Sequence, residues 1–182
     1  RLLSQHNDVI IEGDELQLAV FKQYFPTLEM VLHEVYPFRF GEKGNFALDL
    51  AARFFALNKR LKQELVETEK LVERYRVDLV ISDHRYGFRS NKVPSLLLCH
   101  QINLPVRKLE GWVQRIHHNF LRQFTTIWVP DFADSRLSGD LSRNNSGMEA
   151  LYIGPLSRFS RYPKTHKKEL DQVIIVSGPL VY

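Results

Sequence analysis

Two short apolar runs, each ending in ionisable residues, constrain the fold of this chain most. The first is VDLVI at residues 77 to 81, followed by SDHR, and the second is LLL at residues 96 to 98, followed by CHQ. Apolar runs of this length between polar turns are typical of strands buried on both faces of a parallel sheet. Open parallel sheets bind ligands beyond the carboxyl ends of their strands. We therefore predict a functional site formed by Asp83, His84, Arg85, His100 and Gln101.

The rest of the chain alternates helical and strand patterns. Apolar residues at helical spacing predict helices over residues 14 to about 24, 46 to 76 and 109 to 124, with Asp14 as the first N-cap. Further strands are predicted at residues 9 to 11 (buried), 28 to 33 (an edge strand), 126 to 131, 150 to 153 and from 172. This alternation predicts the fold class α/β, with a Rossmann-like parallel sheet flanked by helices.

Composition limits the partners and the location. The 182 residues, 44% of them hydrophobic, suffice for a full core, and 25 Lys and Arg against 21 Asp and Glu leave a net charge of only +4. Because no stretch interleaves bases and aromatics densely, nucleic acid is not predicted as a partner. The single cysteine, Cys99, lies in a Leu-rich run and is predicted to be a small buried residue in a reducing compartment, hence cytoplasmic. No apolar stretch approaches the roughly 20 residues that span a bilayer.

Two other features are candidates for a functional role. The loop at residues 36 to 45 carries three aromatics and two bases, and it either packs on its own side chains or forms a lip that contacts substrate or a membrane surface. His117 and His118 are neighbours on a predicted helix and point about 100° apart, so they are predicted to face solvent rather than to bind a metal. No Cys or His set has metal-ligand spacing, and no Gly-rich phosphate-binding loop is present. We predict neither a metal nor a resident cofactor.

The order of the motifs resembles the amino-terminal half of glycosyltransferases of the GT-B fold. ISDHRYGF is followed by VPSLLLCHQI, IWVPDF, LYIGPLSRF, a basic segment and VIIVSGP. The likeness is greatest to family 28, which includes the N-acetylglucosaminyl transferase that acts on a lipid-linked peptidoglycan precursor. The family's HEQN-like strand end is similar to CHQIN here, with the Glu absent and an Ile inserted, and its GNPVR-like segment to GPLSR. The family's Gly-rich first loop and its nucleotide-sugar-binding domain have no counterpart in this sequence.

The resemblance implies a division of the chain, which we interpret as a fragment. Residues 1 to 156 would form the amino-terminal acceptor domain without its first strand and Gly-rich loop. Residues 157 to 171 would be a basic interdomain linker that acts as a hinge, and residues 172 to 182 the first strand of a truncated donor domain. The expected activity is hexosyl or N-acetylhexosaminyl transfer from a nucleotide sugar, as co-substrate, to a small-molecule, glycan or lipid-linked acceptor. The fragment alone is expected to be inactive, and the protein to contact the inner face of the membrane peripherally.

Sugar transfer needs a base for the acceptor hydroxyl and polar groups for the departing nucleoside diphosphate. An imidazole suits the first task, so the predicted catalytic residues are His100 and Asp83, the latter as base or as the group that orients His100. Arg85 suits an anionic acceptor such as a pyrophosphate. The alternative is that Asp83 only caps the following turn and that backbone groups satisfy His100. The predicted substrate-binding residues are His84, Arg85, Tyr86, Gln101 and Asn103.

Two other functions remain open on the sequence. One is a nucleotide-sugar 2-epimerase, because enzymes of this class have a similar two-domain fold. The other is a non-catalytic α/β module that binds a glycan or nucleotide. Acceptor-dependent release of nucleoside diphosphate would indicate the transferase. Epimer formation without acceptor would indicate the epimerase, and saturable binding without either reaction would indicate the module.

Overall fold

The computed structural model of the chain describes residues 3 to 33, 46 to 105 and 111 to 157. Strands and helices alternate along these ranges, with two short 3₁₀ helices at Leu3–Gln5 and Gly139–Leu141. The strands are β1 (Ile10–Gly13), β2 (Glu29–Leu32), β3 (Val80–Asp83), β4 (Ser95–Leu98), β5 (Thr126–Val129) and β6 (Ala150–Tyr152). The helices are α1 (Glu15–Tyr24), α2 (Phe46–Tyr75) and α3 (Gly111–Leu121).

The described strands pair in parallel throughout, which confirms the predicted α/β class with parallel sheets. They form two sheets, β1-β2 and β3-β4-β5-β6, where the sequence suggested one. In the larger sheet Asp83 lies opposite Leu98, and Leu98 lies opposite Trp128. The three strands β3, β4 and β5 therefore end almost level, and the residues that follow them meet at one edge.

The main core lies between the larger sheet and α3. Leu97 on β4 and Val129 on β5 have no exposed surface, and they pack with Leu121 at the end of α3. Cys99 is buried in the same cluster, which confirms its prediction as a small buried residue. Since β4 contributes buried side chains on both faces, the prediction of a central strand at residues 96 to 98 is confirmed.

The β1-α1-β2 unit is less buried than predicted. Asp14 caps α1 as expected, because its carboxylate accepts a hydrogen bond from Gln17 N (2.8 Å) while Gln17 Oε1 accepts one from Asp14 N (3.1 Å). The prediction that residues 9 to 11 form a buried strand is wrong, since all three are partly exposed. Among the described strands, β1 pairs only with β2, so it lies at the edge of a two-stranded sheet rather than inside the larger one.

A buried aspartate organises the loop between β5 and β6. The Asp131 carboxylate accepts hydrogen bonds from the backbone N–H groups of Phe132, Leu137 and Ser138 and from the Ser142 hydroxyl. Burial alone would raise the pKa of Asp131, but these four bonds outweigh it and lower the pKa to about 2. The acid that ends the predicted strand at 131 thus holds the loop together.

Three predictions fall outside the described residues. They concern the aromatic loop at 36 to 45, the linker from residue 158 onwards and the strand from residue 172. They remain predictions.

Candidate functional site

The ends of β3 and β4 bring together Asp83, His84 and His100, which we call the strand-end site. Asp83 is the last residue of β3, and His100 follows β4 by two residues. The ring centroids of His84 and His100 are 5.2 Å apart. Asp83 and His100 are exposed, and His84 is half-buried. These residues lie at one edge of the sheet, as predicted, because the parallel strands β3 and β4 end at nearly the same level.

The turn after β3 is held in an unusual conformation. His84 has a φ of +59°, in the left-handed region that non-glycine residues seldom adopt and that is frequent at functional sites. The Ser82 hydroxyl stabilises the turn, because it donates to Arg85 O (2.6 Å) and accepts from Arg85 N (3.3 Å). Ser82, rather than Asp83, therefore provides the cap.

His100 presents an accessible imidazole. It makes no hydrogen bond with any described residue, and neither does the Asp83 carboxylate; the ring of His84 lies against that of His100. Within the described chain, backbone groups do not satisfy His100, and Asp83 does not orient it. Both side chains are available to a ligand at the edge of the sheet.

His84 differs from His100 in its surroundings. Burial lowers the pKa of His84, the nearby His100 lowers it further, and Asp83 opposes both effects. His84 is therefore neutral at neutral pH. Its Nε2 atom lies 3.4 Å from Cys99 Sγ, and burial raises the pKa of the Cys99 thiol to about 11, so that Cys99 stays protonated and is a poor nucleophile.

Arg85 enters a different group, the buried ionic cluster of Glu12, His33, Glu64 and Arg85. Its guanidinium pairs with the Glu64 carboxylate on α2 and lies 2.8 Å from His33 Nδ1. His33 Nδ1 is in turn 3.7 Å from Glu12 Oε1. The cluster thus joins the carboxyl ends of β1 and β2 to the turn after β3, and Arg85 is engaged there by protein groups.

Glu12 is a buried acid of this cluster with a strongly shifted pKa. Its side chain is only 7% exposed, and Oε2 has no hydrogen-bond partner among the described residues. Burial raises the pKa of Glu12 to about 7, although Arg85 opposes the change. Burial also lowers the pKa of His33, and Arg85 lowers it further. At neutral pH Glu12 is therefore close to half-protonated beside a neutral imidazole.

Gly87 lets the loop after β3 reach α2. A Cβ atom at this position would lie 2.8 Å from Leu61 O and against the Glu64 side chain, closer than such atoms approach. The absence of a side chain therefore permits the close contact through which Glu64 reaches Arg85.

The remaining predicted residues support the loops. The Tyr86 hydroxyl donates to His117 Nδ1 (3.1 Å), and His117 Nε2 donates to Gln101 O (2.9 Å). Asn103 Nδ2 donates to Asp140 O and Arg143 O, both at 2.8 Å, which ties the segment after β4 to the loop after β5. Tyr86 and Asn103 thus bind protein groups in this structure.

The prediction that His117 and His118 face solvent is wrong. His117 is 3% exposed, and burial lowers its pKa to about 4. His118 is partly buried, with Nε2 3.1 Å from Ile102 O. The reason is that α3 packs against the segment after β4, whose successive carbonyls receive both rings. Among the described residues no three His, Cys, Asp or Glu side chains are placed to hold a metal ion.

The sequence pattern missed Glu12, His33, Glu64 and His117. Glu12 and His33 stand at the ends of apolar strands, as Asp83 does, so the strand-end rule would have found them. Glu64 and His117 have no such signal, because a polar residue on a helix reveals its burial only through packing.

Comparison of the sequence with protein-family models and curated proteins, and of the fold with solved structures, finds no significant match. Among the helices that the structure describes, none combines the length and the apolar composition that crossing a bilayer requires.

Proposed function

We propose that the chain is the acceptor-side domain of a glycosyltransferase that uses a nucleotide sugar. The observation that carries the proposal is the exposed imidazole of His100, which lies at the carboxyl end of β4 with its ring 5.2 Å from that of His84. This edge is where parallel α/β sheets bind ligands. The resemblance of CHQIN to a strand end on the acceptor side of family 28 supports the same position.

In the proposed reaction His100 is the general base. It takes the proton of an acceptor hydroxyl while the oxygen forms a bond to the anomeric carbon of the donor. The bond from that carbon to the phosphate oxygen breaks, and the nucleoside diphosphate leaves with the electron pair. In this proposal Asp83, the last residue of the neighbouring strand β3, stabilises the resulting imidazolium through its charge.

The substrate-binding residues divide into two groups. His84 and Gln101 flank His100 and contact the acceptor in this proposal. Arg85, Tyr86 and Asn103 are bonded to protein groups, so they shape the walls of the site. The donor is held by a further domain, as the resemblance implies.

The test is the release of nucleoside diphosphate by the full-length protein from a panel of nucleotide sugars, with and without glycan and lipid-linked acceptors. Release that requires acceptor is expected, and His100→Ala should lower the rate by about a hundredfold or more while the melting temperature stays nearly unchanged. His6→Ala, at another exposed histidine, is the matched control. Epimer formation without acceptor, or saturable binding without turnover, would contradict the proposal.

A further inference from the structure

A closed set of contacts surrounds the backbone on either side of His100. Gln101 O accepts hydrogen bonds from His117 Nε2 (2.9 Å) and from Cys99 Sγ (3.3 Å), and Gln101 N donates to Cys99 Sγ (3.3 Å). The sulfur contacts His84 Nε2, and Tyr86, two residues after His84, donates to His117 Nδ1. We call these five residues, His84, Tyr86, Cys99, Gln101 and His117, the strand-end ring.

His100 is the residue between two members of this ring. Cys99 is buried with 1% exposure, whereas His100 is exposed, so the turn from Cys99 to Gln101 projects the imidazole outward. The carbonyl of Gln101 is fixed from α3, and the sulfur of Cys99 is fixed against His84. The position of His100 therefore depends on contacts made by its two chain neighbours.

The hydrogen-bond directions in the ring admit one arrangement for His117. A carbonyl oxygen can only accept, so Nε2 of His117 carries the proton, and Nδ1 must accept from the Tyr86 hydroxyl. A neutral imidazole meets both requirements, and burial keeps His117 neutral. The Tyr86 ring is held as well, because it stacks on Phe120 of α3 with centroids 5.6 Å apart.

We propose that His117 and Tyr86 are positioning residues for His100, which tie the turn after β4 and the turn after β3 to the same point on α3. The inference rests on the proposed function and extends it, since it explains how His100 is kept in place. It assigns roles to a buried helix histidine and a tyrosine that do not contact the acceptor. A displacement of a catalytic group by about 1 Å can lower a rate by about a hundredfold.

The structural test uses full-length protein labelled with ¹⁵N-histidine. The spectra should show His117 as the Nε2–H tautomer. Tyr86→Phe and His117→Phe should raise the pKa of His84 towards its ordinary value, because the loosened ring exposes His84 and moves it from His100. Labelling of Cys99 by a thiol reagent, followed on its peptide, should accelerate about tenfold or more. Tyr152→Phe is the control. It removes a hydrogen bond of the same kind, from the Tyr152 hydroxyl to Ser142 O (2.7 Å), in another loop.

Turnover is measured on the same variants. Tyr86→Phe should lower kcat by about tenfold to a hundredfold, with KM for the nucleotide sugar unchanged, while Tyr152→Phe has the wild-type kcat. Folded Tyr86 and His117 variants with unchanged His84 titration and Cys99 labelling would overturn the inference. The two failures can be told apart. If the His84 pKa and the Cys99 labelling rate change as expected but His100→Ala keeps full turnover, the proposed function is refuted. The ring would then only stabilise the structure, and the positioning role would be refuted as well.

Discussion

Replacing Glu12 by glutamine should stabilise the protein above neutral pH and change its stability much less in acid. The Glu12 carboxyl is buried, and its pKa rises from the ordinary 4.5 to about 7 on folding. The folded state therefore binds a proton more tightly than the unfolded state. For such a group the free energy of unfolding falls as pH rises through the interval from 4.5 to 7, and it stays low above this interval.

The magnitude follows from the two pKa values. At about 1.4 kcal/mol for each tenfold change in proton affinity, the rise to about 7 corresponds to about 3 kcal/mol at most. Glutamine has nearly the same shape and cannot ionise, so the variant lacks this penalty. We expect Glu12→Gln to be more stable than the wild type by about 2 to 3 kcal/mol near pH 8, and by less than about 1 kcal/mol near pH 5.

Several charged and titratable groups face Glu12 and contribute to the pH dependence of its effect on stability. His33 faces it from the end of β2 and Arg85 from the turn after β3. The facing groups on α2 are Arg60, Glu64 and Glu67, and Asp14 lies on the following N-cap. His33 Nδ1 lies 3.7 Å from Glu12 Oε1, so the two groups titrate as a pair. The pH dependence of the difference between the two proteins therefore reports the removal of the Glu12 charge together with its effect on His33.

The assay is equilibrium unfolding by urea of the wild type and the variant near pH 5 and near pH 8. Glu149→Gln, at an exposed acid, is the matched control and should show no pH-dependent change. A Glu12→Gln variant that is less stable than the wild type near pH 8 would refute the buried-carboxyl argument. So would a variant whose free energy of unfolding differs from that of the wild type by the same amount at both pH values.

Three further predictions concern the supports of the site. Gly87→Ala should destabilise the protein by about 1 to 3 kcal/mol, because the new Cβ atom meets Leu61 O. Gly111→Ala is the control, since among the described residues its added Cβ meets nothing within 4 Å beyond its chain neighbours and the backbone of its own helix. Equal unfolding midpoints for Gly87→Ala and the wild type would contradict the account. Asp131→Asn should lower the melting temperature at neutral pH, with the difference from wild type shrinking as pH falls towards 2, since the depressed pKa of Asp131 stabilises the fold only while it is ionised; Asp134→Asn, at an exposed site, should do neither. Cys99 should resist alkylation in the folded protein near pH 8 and react quickly in denaturant, because burial raises its thiol pKa to about 11; rapid labelling of the native protein would be inconsistent with its burial.

The periodicity of the sequence was sufficient for the α/β class and for the strand-end site. Apolar runs that stop at Asp83 and at Cys99 could be placed at one edge because parallel strands share a direction. The sequence could not show which way the side chains after β3 turn, so Arg85 was expected to bind an anion although it pairs with Glu64. It also overestimated the burial of residues 9 to 11, since an apolar triplet does not reveal how many neighbours its strand has.

The helix histidines show a second limit. Spacing on a helix gives the angle between His117 and His118, but not which carbonyls α3 will meet. That contact depends on the turn after β4, which is a feature of tertiary packing. The same holds for Glu64, whose burial depends on a glycine 23 positions later in the chain, at Gly87.

The most direct test of the proposed chemistry is rescue of His100→Ala by free imidazole in the full-length protein. If His100 is the general base, imidazole in solution should restore a measurable part of the acceptor-dependent release of nucleoside diphosphate, and the restored rate should increase with the concentration of the unprotonated form. The His117→Phe variant, which keeps His100, should gain nothing from imidazole. A His100→Ala protein that is fully active without imidazole would contradict the assignment of His100 as the base.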